Sequence, residues 1–170
     1  MAEELSLRDV ILDVIRSNPG IHFREIQRRT GAAVGQIEYH LYQLERLEKI
    51  HSREDGKIRR YFTSEGTGLI QRRVIFFLRN PAGREIILLL LQKGKLPEGS
   101  LTKGRKPVRE RKFQLLDDMV RENVLRSSVE SGIRYYELTD PSSIKQTLNA
   151  FRESFLDMLT SNIISILDSS

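Results

Sequence analysis

The chain has 170 residues, of which 39% are hydrophobic and 30% are charged, a composition typical of one large or two small soluble domains. Its formal net charge of +5 favours an anionic partner without requiring one. The absence of cysteine excludes disulfides, thiolate metal sites and cysteine catalysis. The longest apolar run, Ile86 to Leu91, is far shorter than the roughly 20 residues of a membrane helix. With no apolar signal segment at the start, we expect a cytoplasmic protein.

The chain begins with a predicted helix–helix–turn–helix pattern. The first helix is expected from Leu7 to Ser17, with Val10, Ile11, Val14 and Ile15 facing inward, because Asn18-Pro-Gly20 stops it. The next helix carries Phe23 and Ile26 toward the core and the cations Arg24, Arg28 and Arg29 outward. Gly31 is placed to supply the positive φ that ends this helix and starts a tight turn.

A longer helix follows the turn, and its two faces differ in character. Apolar residues recur at steps of three and four, which predicts an inward face of Val34, Ile37, Leu41, Leu44 and Leu47. The remaining faces carry polar and small residues: Gly35, Gln36, Tyr39, His40, Gln43 and Arg46. Glutamine can hydrogen-bond to adenine edges, and tyrosine can reach a phosphate or a thymine methyl. This division suits a recognition helix in a major groove, although a solvated amphipathic helix has the same pattern.

Two strand-like runs, Ile50–Arg53 and Arg59–Phe62, flank an Asp-Gly pair, a strong signal for a β-hairpin. A hairpin after a helix-turn-helix makes a winged helix. Cations on this predicted wing can bind a phosphate backbone or a minor groove, although any small hairpin needs charges for solubility. The cations are Arg53, Lys57, Arg59 and Arg60.

The segments NPGIHFREIQRRTG and GQIEYHLYQLERLEKI resemble archaeal transcriptional regulators built from two winged helix-turn-helix domains, related in style to the ArsR and MarR groups. The resemblance is clearest over residues 8–63 and weaker to about 140. It implies sequence-specific DNA binding as a dimer. The groove-facing positions of the pattern fall on Gly35, Gln36, Tyr39 and His40. The lack of cysteine departs from ArsR-type regulators that sense metals through thiols.

The second half of the chain repeats this plan imperfectly. A connecting helix is predicted over Leu69–Leu78, a buried helix over Ala82–Lys93 and a second recognition-type helix over Val108–Asn123. Its expected inner face consists of Val108, Phe113 (or the stem of Lys112), Leu115, Leu116, Met119 and Val120. Strand, turn and strand are expected between residues 124 and 138.

The stretch between Lys93 and Val108 is rich in glycine and proline, so the helix before the second recognition helix is expected to be reduced or lost. Residues 103–112 carry six cations and one anion. This basic segment is either a second phosphate-contacting surface or a solvated loop. The candidate contacts on it are Lys103, Arg105, Lys106 and Arg109.

The C-terminal stretch predicts one long helix from the cap at Asp140-Pro141 to about Leu167. Its apolar stripe is longer than one small domain needs. The helix therefore either joins two copies in a dimer or folds back over Ile86–Leu91.

The residue pattern indicates neither a catalytic site nor a metal site. The glycine-containing run 99–106 lacks the Lys-Ser/Thr that a phosphate-binding loop requires after its second glycine. The three histidines show no metal-ligand spacing, and no serine, histidine and acid triad stands out. We expect neither an enzyme nor a cofactor.

The sequence thus predicts a mainly α fold with small β-hairpin wings, a tandem winged helix-turn-helix protein with a long C-terminal helix. The expected domains are 1–63, a linker and connecting helix at 64–80, a degenerate second winged helix at 81–139 and the C-terminal helix at 140–170. The expected partner is double-stranded DNA, bound at a specific site by a homodimer, with an unidentified effector as an open addition.

Two alternatives are open. Residues 1–63 hold eleven Lys and Arg against ten Asp and Glu, and this balance is compatible with a protein-interaction module. A chromatin-type protein that binds DNA without sequence preference would use the basic segment.

Overall fold

The computed structural model describes residues 5–156, and the chain divides into two compact units, Met1–Arg72 and Arg73–Ser170. The first unit contains α1 (Leu7–Ser17), β1 (Ile21–His22), α2 (Phe23–Thr30), α3 (Val34–Arg46), β2 (Ile50–Asp55) and β3 (Ile58–Thr63). The boundary between the two units falls within helix α4 (Leu69–Arg79). The second unit continues with α5 (Pro81–Lys93), β4 (Lys95–Pro97), α6 (Glu98–Leu101), α7 (Lys106–Arg121), β5 (Leu125–Glu130), β6 (Ile133–Leu138), α8 (Pro141–Ala150) and α9 (Arg152–Phe155).

Local capping signals set the helices of the first unit. The Ser6 hydroxyl accepts a hydrogen bond from the Asp9 backbone N–H at 3.2 Å and starts α1. Helix α2 ends at Gly31, whose φ of 66° is the left-handed conformation predicted from the sequence, and the Gly31 N–H donates to the Gln27 carbonyl at 2.8 Å. The tight turn between α2 and α3 therefore lies where the sequence placed it.

One hydrophobic core holds the first unit together. Its buried members come from all three helices and all three strands: Ile11, Ile15, Ile21, Ile26, Ile37, Leu41, Leu44, Ile50 and Tyr61. Val34 and Leu47 were expected on the inner face of α3, and both are exposed. They stand at the two ends of that helix, beyond the stretch that packs on the core.

The first unit has a three-stranded antiparallel sheet in the order β1-β3-β2. Strands β2 and β3 form the predicted hairpin, closed where Asp55 pairs with Ile58 across Gly56, which has φ of +63°. Strand β1 was not predicted. It is two residues long, too short to show alternation, and it exists because Ile21 pairs with Tyr61 of β3.

The second unit also has a three-stranded antiparallel sheet, in the order β4-β6-β5. The side chain of Asn80 starts α5 by accepting from the N–H groups of Ala82 and Gly83. Helix α6 has only four residues, so the reduced helix expected from the glycine and proline content is observed.

The inner face of α7 differs from the expectation in one respect. Leu116 and Met119 are buried as predicted, but Val108 is exposed and Phe113 is 38% exposed. Lys112 takes the inward position and is only 3% exposed. Its ammonium donates to Glu85 Oε1 at 2.9 Å and to the carbonyl of Lys103 at 3.1 Å, which satisfies the buried charge.

The expected long C-terminal helix is interrupted within the described residues. Asp140 caps α8 as predicted, accepting from the Ser143 N–H at 2.9 Å, but α8 ends at Ala150 and α9 is a separate short helix. The turn at Phe151 brings Phe155 under the guanidinium of Arg79, 4.3 Å from the ring centroid. The rest of the predicted helix, to Leu167, lies outside the described residues. Over residues 5–156, every helix is too short or too polar to cross a membrane.

Candidate nucleic-acid interface

Helix α3 presents a continuous outer face opposite its buried residues. Because Ile37, Leu41 and Leu44 point into the core, residues offset by about half a turn point to solvent. Tyr39 is 60% exposed and Tyr42 is 57% exposed. The outer face runs along the helix at steps of four, three and four: Gly35, Tyr39, Tyr42 and Arg46.

The predicted base-reading residues divide into two groups. Gly35, Gln36 and Tyr39 are exposed, whereas His40 and Gln43 are half-buried on the flank of the helix. The side-chain oxygen of Gln36 accepts a hydrogen bond from the Ala33 N–H at 3.3 Å, so the first turn of α3 orients this side chain. The rings of Tyr39 and His40 meet edge to face with centroids 5.3 Å apart, which fixes the direction of Tyr39.

Tyr42 and Arg46 belong to this face, although neither was predicted as a contact. The guanidinium of Arg46 lies 5.9 Å from the centroid of the Tyr42 ring, at the limit for a cation–π contact. The spacing indicates that Tyr42 lies on the outer face of α3, since it follows Tyr39 by three positions and Gly35 by seven.

Two cations of α2 share one carboxylate. Arg28 donates to both oxygens of Glu25, at 2.8 and 2.6 Å, and Arg29 donates to the same group at 2.9 Å. The hydrogen bond from Arg28 is the largest effect that lowers the pKa of Glu25, so this carboxylate stays charged. Arg28 remains largely exposed, and its guanidinium is held in a fixed direction.

The four wing cations do not share one environment. Lys57 and Arg59 are exposed, and Arg53 is half-buried. The guanidinium of Arg59 is 3.9 Å from Glu45, a distance at which an exposed pair is weak.

Arg60, expected to contact phosphate, is 4% exposed. Its guanidinium donates to Asp55 Oδ2 at 2.8 Å and to the Gly20 carbonyl at 3.2 Å. This geometry ties the β2–β3 turn to the segment before β1, so we assign Arg60 to the architecture of the wing.

In the second unit, the predicted contacts Lys103, Arg105, Lys106 and Arg109 are all exposed. An open groove of about 500 Å³ lies beside them. It is lined by Gly99, Thr102, Lys103, Gly104, Arg109 and Phe113. In the described part of the chain, acidic and histidine side chains form no cluster that could hold a metal ion.

Comparison with known proteins bears on the first unit. Residues 6–75 match the family model HTH_HVO_0163_N, an N-terminal HTH domain. The first unit is a helix-turn-helix domain. The matched range contains α1 to β3 and the beginning of α4. The comparison with curated proteins gave no match.

The helix-turn-helix domain has its two defining helices in α2 and α3, joined across Gly31. In this type of domain the second of the two helices enters the major groove of DNA. The exposed face of α3 is therefore the surface that a DNA-binding function would use, with Arg28 on the preceding helix and the wing cations on the β-hairpin.

Proposed function

We propose that the protein is a transcriptional regulator that binds a specific double-stranded DNA site through α3 of its helix-turn-helix domain. The observation that carries this proposal is the set of exposed residues in the first half of that helix, Gly35, Gln36 and Tyr39. Gly35 permits close approach, Gln36 offers an amide with base-edge geometry, and Tyr39 offers an apolar ring and a hydroxyl. Neutral groups of this kind discriminate between base pairs but add little affinity, as expected of a face that reads sequence.

Affinity then comes from cations around the recognition face. Arg28, Arg53, Lys57 and Arg59 are the proposed phosphate contacts of the first unit. Each neutralised phosphate releases counterions, so binding through these residues falls steeply with salt concentration. Arg60 is left out of this set because both of its described hydrogen bonds are internal.

We further propose that the second unit is a winged helix derived from the same plan, which makes the chain a tandem protein. A constant residue offset supports this. Buried residues of the two units correspond in pairs whose numbers differ by 75 in each case: Ile11 and Ile86, Ile15 and Leu90, Ile26 and Leu101, Leu41 and Leu116, Leu44 and Met119, Ile50 and Leu125, and Tyr61 and Tyr136. The strand order also corresponds, since the last strand lies between the first and the second in both sheets.

We also propose that the regulator acts as a homodimer through its C-terminal segment and that its site is palindromic. Two-fold symmetry of a dimer imposes two half-sites whose spacing follows the distance between the two α3 helices. In the sequence, Leu159, Ile163 and Ile166 recur at helical spacing, which supports a dimer contact here, although they lie outside the described residues.

Because the first unit is nearly neutral, a second candidate function is a winged helix that binds another protein. The exposed cations Arg28, Lys57 and Arg59 of this unit favour DNA. A third candidate, non-specific DNA packaging, rests on the basic segment of the second unit.

The decisive measurement is binding of the intact chain to genomic fragments, including the DNA upstream of its own gene, with competitor DNA and a salt series. The test variant is Gln36→Ala/Tyr39→Ala. The control is Gln92→Ala/Tyr135→Ala, which changes the same residue types away from α3. We expect one fragment to be retained and the test variant to lose at least tenfold in affinity for it, because a good base contact is worth about 1–3 kcal/mol.

Three outcomes separate the candidates. Selective binding lost only in the test variant supports a specific regulator. Binding that depends on salt but not on fragment or variant indicates a packaging protein. No binding at low salt leaves the protein-interaction module.

A further inference from the structure

The second unit departs from the first at the turn before its long helix. Residue 112 corresponds to residue 37, a fully buried isoleucine of the first core. At this position the second unit has Lys112, whose ammonium needs polar partners when it is removed from water. One partner is the carbonyl of Lys103, which no helix uses because α6 ends at Leu101. Residues 102–105 form a non-helical segment, and the buried lysine bonds to a backbone carbonyl of this unwound segment.

The unwound segment opens the groove beside the start of α7. Corresponding residues of the first unit belong to α2, which continues to Thr30. In the second unit the groove has a volume of about 500 Å³, within the range of roughly 300–1,000 Å³ typical of ligand sites. Gly99 and Gly104 line it without side chains, so a bound chain can approach the backbone closely.

Charge and aromatic surface meet in this groove. Lys103 and Arg109 line it, and Arg105, Lys106 and Arg111 are exposed next to them. The charge of Lys112 is offset internally by Glu85 at 2.9 Å, so it does not belong to this surface. Phe113 lines the same groove and is 38% exposed, although its apolar ring would be more stable in the core.

We propose that this groove binds single-stranded nucleic acid, with a base stacked on Phe113 and the adjoining phosphates on Lys103 and Arg109. A positively charged groove combined with an aromatic ring is the recognised arrangement for unpaired strands, since every base has a face that can stack. A duplex offers phosphates to the cations but keeps its base faces stacked within the helix. The further exposed cations Arg105, Lys106 and Arg111 favour a continuing strand over a single nucleotide.

The test uses the intact chain and a short fluorescein-labelled poly(dT) strand, with fluorescence anisotropy as the readout. We expect Phe113→Ala to weaken binding by about tenfold, the scale of one lost stacking contact. Phe113→Tyr keeps a ring and should retain affinity. Val108→Ala, an exposed apolar change on the same helix, is the matched control. Lys103→Ala/Arg109→Ala should weaken binding and flatten its salt dependence by more than one unit of slope.

Two results would overturn the proposal. One is equal binding of poly(dT) by Phe113→Ala and the control, with folding verified by circular dichroism. The other is an equal loss for poly(dT) and a duplex in the Lys103→Ala/Arg109→Ala variant, which would identify a general phosphate surface. The proposal is independent of α3. Its failure leaves fragment-selective binding intact, and Gln36→Ala/Tyr39→Ala changes duplex recognition without changing poly(dT) binding.

Discussion

Neighbouring arginines on β3 have opposite environments. Side chains of successive strand residues point to opposite faces. Alternation alone does not explain their burial, because Arg59 shares a face with buried Tyr61. Arg59 is exposed near the end of the hairpin, whereas Arg60 is buried and bonded to Asp55 and the Gly20 carbonyl. A charge count over the wing treats these two cations as equal, but Arg59 is exposed and Arg60 is bonded within the domain.

We expect Arg60→Met and Arg59→Met to separate stability from binding. Arg60→Met removes a buried guanidinium together with its hydrogen bonds to Asp55 and the Gly20 carbonyl, and should lower the free energy of unfolding by about 3–5 kcal/mol. Loss of Arg59 should change it by less than about 1 kcal/mol while weakening DNA binding and lowering the salt slope by about one. Urea unfolding and salt-dependent anisotropy measure the two effects. Equal destabilisation by both substitutions would contradict the assignment.

At the scale of the elements, the corner between α4 and α5 depends on a close backbone approach. Asn80 caps α5 and Pro81 fills its first turn. Gly83 follows, and a Cβ atom at this position would lie 2.5 Å from the carbonyl oxygen of Phe77. Since the obstruction is backbone, no side-chain rotation can relieve it.

We therefore expect Gly83→Ala to lower the free energy of unfolding by about 1–3 kcal/mol, the usual cost of overpacking. The matched control is Gly35→Ala on α3, where an added Cβ meets no atom within 4 Å. That control should be neutral or stabilising by up to about 1 kcal/mol, because alanine favours helix. Thermal and urea unfolding of both variants decide the point, and a stabilised Gly83→Ala protein would refute the close approach.

At the scale of the whole molecule, the helix-turn-helix domain covers residues 6–75 of the chain, and the proposed dimer contact lies in the remainder. A regulator that reads a palindrome needs two copies of α3, so assembly and site symmetry are linked. The apolar C-terminal stripe is the proposed means of assembly.

We expect light scattering to give twice the chain mass of 19.7 kDa. Leu159→Glu/Ile163→Glu should shift the protein to the monomer, because charges in an apolar contact are costly. Ser161→Glu/Ser165→Glu adds the same charge on the opposite side of the predicted helix and should leave the dimer unchanged. A full-length monomer, or a dimer unaffected by the first variant, would rule out this contact.

The sequence by itself determined the features whose causes are local. Helix α1 begins and ends at the predicted residues, Gly31 has the predicted positive φ, and the Asp-Gly hairpin and the Asp140 cap are present. Each depends on interactions among a few neighbouring residues, which a sequence pattern records directly.

Tertiary structure decided the features that depend on distant residues. Strands β1 and β4 exist only through pairing with β3 and β6. The burial of Arg60 requires the Gly20 carbonyl, 40 residues away, and that of Lys112 requires Glu85 and the carbonyl of Lys103. The break at Phe151 accompanies the packing of Phe155 on Arg79. The sequence does not distinguish a charged side chain that faces water from one that faces a buried partner. Only the folded chain brings that partner within hydrogen-bond distance.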